Sequence, residues 1–83
     1  MLRERIYQLY DKAVDHMNKL REIVKFLNET MYIASKLGSE GCSRRIAVAL
    51  RKVGECMSVL IEVRNCLDLW LKGYEHGIYD DKE

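Results

Sequence analysis

Apolar residues recur at alternating steps of four and three along the first half of the chain, through Leu2, Ile6, Leu9, Ala13, His16, Leu20, Ile23, Leu27, Thr30, Ala34 and Leu37. Only His16 and Thr30 depart from the apolar pattern. Such spacing puts one stripe along a helix. A second apolar pattern follows the short stretch Gly38-Ser39-Glu40-Gly41. Two stripes separated by a glycine-flanked break predict an all-α fold, a long antiparallel helical hairpin. The first helix is expected over about 2–37, the turn over 38–42 and the second helix over about 43–72. Gly38 supplies a C-terminal stop, Ser43 an N-cap and Gly73 a second stop. Without any proline, the first helix can run unbroken for roughly 54 Å at 1.5 Å per residue.

The apolar stripe is wider than one partner helix can cover. Tyr10, Met17, Val24 and Met31 run parallel to the opening ladder, with Ile6, Ala13, Leu20, Leu27 and Ala34 between the two rows. In the second helix a central row of Ile46, Val53, Leu60, Leu67 and Tyr74 is flanked by Ala49, Cys56, Val63 and Trp70 on one side and by Leu50, Met57 and Leu71 on the other. Val59, Ile61, Cys66 and Leu69 fall outside these rows, so the segment is apolar over much of its circumference. A helix apolar on several faces is usually buried on several faces. The expectation is a homodimer or larger assembly, most simply an antiparallel four-helix bundle of two hairpins, with Val59, Ile61, Val63, Cys66, Leu69 and Trp70 at the interface. The alternative is a monomer whose apolar face receives a different protein. Gly54, with Ala47 and Ser58, forms a small-residue edge that would admit another helix closely or else face solvent.

Eighty-three residues are expected to form a single domain, 1–83, with a core too small to be generous. Residues 73–83 read as a frayed acidic tail. Three cysteines, Cys42, Cys56 and Cys66, show no paired spacing and fit a reducing compartment, hence a cytoplasmic expectation. No apolar run approaches the roughly 18 residues of a membrane span, and the N-terminus lacks the apolar core of a signal peptide.

Net charge is +1, but it is unevenly spread. Cys42 to Lys52 holds Arg44, Arg45, Arg51 and Lys52 and no acid, whereas Val53 to Glu83 holds three bases and seven acids. Arg44 with Arg51, and Arg45 with Lys52, are spaced to stack along a helix, and bases in a first turn oppose the helix dipole by about 0.3–1 kcal/mol each. These four residues are the candidate nucleic-acid or anion surface. An internal explanation pairs them with Glu75, Asp80 and Asp81 across an antiparallel dimer, and a third leaves them as a solvated face.

Folding the hairpin about residue 40 places residue i near about 80 − i, which sets His16 close to Arg64, with Asp68 one turn on. These three form the candidate polar core layer, of the kind that specifies register in bundles. No catalytic residue is assigned, because no nucleophile, base or paired-carboxylate arrangement is present. No metal or cofactor is assigned either: Ala13 and Gly73 stand where a Glu-x-x-His site would need carboxylates before His16 and His76, and Cys56 and Cys66 lie about 15 Å apart along one helix. Tyr7, Tyr10, Trp70 and Tyr74, with Ile78 and Tyr79 beyond, are expected to gather at the open end of the hairpin as a plug or a ligand groove.

The expected architecture is similar to that of plasmid copy-control RNA-binding hairpins of the Rop type. No motif is shared, so the likeness supplies no residues. Two function classes follow from the residues: a non-enzymatic oligomeric bundle acting through protein contacts, as an adaptor, chaperone or regulatory subunit, and a small nucleic-acid-binding bundle.

Overall fold

The computed structural model describes residues 1–80. Two helices account for nearly all of them: α1 (Leu2–Leu37) and α2 (Glu40–Glu75), packed antiparallel as a rod of 60 × 16 × 15 Å. The all-α hairpin expected from the periodicity is therefore present, with α1 over the expected span.

The turn is tighter than the sequence suggests. Gly38 adopts φ 69°, its N–H donates to Ser35 and the N–H of Ser39 donates to Ala34 at 2.9 Å. This paired closure caps two orphan carbonyls and reverses the chain within two residues. Ser39, not Ser43, precedes α2, and the N–H of Ser43 already donates to Ser39 at 3.0 Å as the first helical bond. Because the reversal is complete at Gly38, nothing holds Glu40–Cys42 out of the helix. Gly41 sits in its first turn, and Glu40 lies where a carboxylate favours the dipole.

At its other end α2 passes through Gly73 and stops by the same device. Gly77 has φ 75°, its N–H donates to Tyr74 and that of Ile78 donates to Gly73 at 2.8 Å. The segment after the helix is consequently directed back onto it, and the Tyr79 ring covers Gly73, whose own burial follows. Tyr79 also meets Tyr74, with ring centroids 5.5 Å apart. The helix thus runs past Gly73 to Glu75 and ends in a hydrogen-bonded turn. Asp81, Lys82 and Glu83 of the expected tail lie outside the described residues.

The seam between the helices is a regular ladder, but not the one that opens the sequence. In α1 the least exposed positions follow Ile6, Tyr10, Ala13, Met17, Leu20, Val24, Leu27, Met31 and Ala34; in α2 they follow Ile46, Leu50, Val53, Met57, Leu60, Arg64, Leu67, Leu71 and Tyr74. Ile6, Ala13, Leu67 and Leu71 form the buried cluster at the open end, with Tyr10 and Tyr74 packed against it. Among the described residues no large side chain is fully buried and no polar or charged residue is buried at all. A two-helix layer has only one inside face per helix, so every side chain keeps an edge in water.

Candidate interaction face

The tight turn sets the register. With the reversal centred between Gly38 and Ser39, residue i of α1 stands opposite about residue 77 − i of α2, three positions away from the register that a turn at residue 40 implies. In α1 the seam uses the inner row and the row of Tyr10, Met17, Val24 and Met31, leaving the remaining row outside. Leu2, Leu9, His16, Ile23 and Leu37 are exposed, and Thr30 is half-buried with its hydroxyl donating to the Phe26 carbonyl at 2.8 Å. In α2 the seam uses the Leu50, Met57 and Leu71 side, leaving Cys42, Cys56, Val63 and Trp70 exposed and Ala49 half-buried.

These two outlying rows fall on the same side of the rod. Leu2, Arg5, Ile6 and Leu9 line one groove together with Trp70, Tyr74 and Tyr79, of about 530 Å³. His16, Lys19 and Leu20 line a second together with Lys52, Glu55, Cys56, Val59 and Leu60, of about 760 Å³. The first lies at the open end and the second near mid-rod. Phe26 and Ile33, at 63% and 57% exposure, extend the apolar edge of α1 at the helical spacing that follows Lys19. The opposite side is different. There Tyr7, Tyr10, Asp11, Asp68, Leu71, Lys72 and Glu75 frame a smaller, more polar groove of about 360 Å³, and Gly54 and Ser58 lie exposed, the Ser58 hydroxyl donating to the Gly54 carbonyl at 3.2 Å.

Of the six residues expected at an interface, four share the apolar side: Val59, Val63, Cys66 and Trp70, all exposed. Leu69 is 66% exposed and points away from α1, since it stands two residues, about 200°, from both Leu67 and Leu71 of the seam. Ile61 is half-buried on the other flank. The α1 contribution to this side (Leu2, Leu9, Ile23, Phe26 and Ile33) is not legible in the sequence, because the row containing the first three reads equally well as the hairpin seam.

His16, Arg64 and Asp68 are not brought together within one hairpin. His16 is exposed on the apolar side beside Cys56, Val59 and Leu60. Arg64 is half-buried in the seam ladder and donates to Asn65 at 3.4 Å. Asp68 belongs to the polar groove and pairs with Lys72 at 3.0 Å. The changed register is the reason: the residue opposite His16 is near 61, and the two helices present His16 and Asp68 to different sides.

Arg44, Arg45, Arg51 and Lys52 are all exposed. Arg44 approaches Glu40 at 3.9 Å in a highly exposed pair, the kind that contributes little to stability. The four divide into two stripes about 100° apart, Arg44 with Arg51 on the outer surface and Arg45 with Lys52 along the rim of the apolar side, where Lys52 lines the central groove. Cys42, Cys56 and Cys66 are free thiols. Among the described residues no group of three or more His, Cys, Asp or Glu could hold a metal ion, and no helix is long and apolar enough to cross a membrane.

Comparison with protein-family models, with curated proteins and with solved structures finds no match to this chain.

Proposed function

We propose that this protein is a non-enzymatic bundle subunit that acts through protein contacts, and that its first contact is with itself, through the apolar side of the rod. The observation that carries this reading is that exposed apolar rows from both helices meet on one side, whereas Tyr7, Tyr32, Val48 and Leu69 are exposed singly elsewhere. Area supports it as well. A compact monomer of 9.8 kDa exposes about 5,200 Å² by the usual scaling, whereas this rod exposes 6499 Å². The excess, about 1,300 Å², exceeds the roughly 800 Å² that each partner contributes to an ordinary stable interface. Stacking two rods on their apolar sides makes a four-helix bundle and supplies the core that one hairpin lacks.

Sedimentation velocity across a micromolar concentration series tests it. A dimer at tens of micromolar, converted to monomer by Leu9→Glu or Val63→Glu without loss of helix content, is the expected result. A monomer throughout the series would leave the apolar side to another protein and overturn the self-association.

A further inference from the structure

We infer that the apolar side also takes a helix of another protein, an amphipathic one whose apolar stripe is flanked by acidic residues that change flank halfway along. This goes beyond the self-association proposed above, because it names a partner that a second copy of the chain cannot imitate.

Charge sets the chemistry. Of the charged residues that line the two grooves on this side, Arg5, Lys19 and Lys52 are basic and only Glu55 is acidic. Lys12 and Arg45, one heptad from Lys19 and Lys52, complete two exposed rim rows that hold these five bases and no acid. Asp11, Asp68 and Glu75 instead line the groove on the opposite side. Among the described residues none of the five bases forms an ion pair. A second copy brings the same rows and therefore no acid to answer them, whereas complementary charge across an interface selects the partner and speeds its arrival.

Spacing sets the shape. At the register of the hairpin, and to within a residue, Arg5 lies across the channel from Gly73, Lys12 from Cys66 and Lys19 from Val59. Further toward the turn, Phe26 lies across from Lys52 and Ile33 from Arg45. Each rung thus carries one base, on α1 in the open half and on α2 in the turn half. Successive rungs are seven residues, about 10.5 Å, apart, the interval at which the flanking e and g positions of a heptad helix recur. A helix laid along the channel meets these bases when its acids stand at e in its first half and at g in its second. Reversing its running direction exchanges both end and flank, so the same pattern fits either way. A bilayer senses total charge and apolar area, not the rim on which a base stands.

The test uses the full chain and two synthetic four-heptad peptides of identical composition, with Leu at a and d and Gln at the uncharged flank positions. One carries Glu at e in its first two heptads and at g in its last two, and the other carries them the opposite way round. Isothermal titration is expected to show the first peptide binding at least tenfold more tightly than the second, by a margin that shrinks as salt rises. Lys19→Glu with Lys52→Glu is expected to erase the preference, and Arg51→Glu with Lys72→Glu, on the opposite side, to preserve it. Equal affinity for the two peptides, or binding of neither, would overturn the inference. Attachment to phosphatidylserine vesicles without a preference between the peptides would overturn it too, and put a membrane in the place of the helix. Sedimentation of the chain alone reads self-association separately: a peptide preference in a monomeric chain removes the second copy and leaves this inference standing, and a dimer without the preference does the reverse.

Discussion

The ring of Tyr79 occupies the space that a side chain at position 73 would need: a Cβ built on Gly73 falls among the Tyr79 ring carbons. The contact closes the open end of the hairpin, because the cap at Gly77 directs the chain back along α2 and Tyr79 then completes the groove formed with Leu2, Leu9 and Trp70. A glycine this close to the end of a helix would pass for a simple stop in the sequence. Here it is a socket.

Gly73→Ala is accordingly expected to be less favourable in the native chain than in a background that lacks the Tyr79 ring. In the native chain it displaces Tyr79 and forfeits an aromatic contact of about 0.5–1.5 kcal/mol. In a Tyr79→Ala background the obstruction is absent, and the better helix propensity of alanine is expected to stabilise the protein by up to about 1 kcal/mol. Urea denaturation of the four proteins, read as a double-mutant cycle, checks this. Equal effects in both backgrounds would mean that Tyr79 does not rest on Gly73 in solution.

Two other glycines are expected to respond to alanine with opposite signs. Gly38 holds φ 69°, a conformation that costs an L side chain about 1–2 kcal/mol, so Gly38→Ala is expected to destabilise the fold by about that amount. Gly54 is helical and exposed, and a Cβ there would meet nothing within 4 Å. Gly54→Ala is expected to add about 1 kcal/mol of stability. If it instead weakened the assembly, a second helix would be seated on the polar side, contrary to the proposed face. Thermal melting at several protein concentrations distinguishes the two outcomes, since only an effect on assembly changes with concentration.

His16 is the one titratable residue in the row formed by Leu2, Leu9, Ile23 and Leu37. Within the hairpin it is exposed, so it contributes little to the fold of one chain; in the proposed dimer it faces the partner. His16→Leu is therefore expected to tighten dimerisation about tenfold or more, a factor of ten corresponding to about 1.4 kcal/mol. Sedimentation equilibrium of the two proteins measures the ratio. No change in dimer affinity would place His16 outside the interface.

Arg44, Arg45, Arg51 and Lys52 are all exposed, in two stripes about 100° apart. Labelled RNA and duplex DNA titrated across a salt series are expected to show no tight binding at moderate salt. Affinity that falls steeply with salt and is lost in an Arg44→Glu, Arg51→Glu double variant would favour the nucleic-acid reading instead.

Much of this architecture is legible in the sequence. The 4-3 spacing, the missing prolines and the glycine at position 38 determine two long helices joined by a reversal, because helical periodicity and left-handed glycine caps are local properties. The width of the apolar stripe is local too, and it is what raises the expectation of more than one partner helix. What the sequence could not decide was which of two equally regular α1 rows lies in the seam. Ile6, Ala13, Leu20, Leu27 and Ala34 are flanked by Leu2, Leu9, Ile23 and Leu37 on one side and by Tyr10, Met17, Val24 and Met31 on the other. A rotation of α1 by a fraction of a turn exchanges them. Only the tertiary structure made that choice, through a turn tight enough to shift the helix register and through the simultaneous fit of both helices. The same choice separated His16 from Arg64 and Asp68, and it gathered Leu2, Leu9, Cys56, Val63 and Trp70 on one side of the rod.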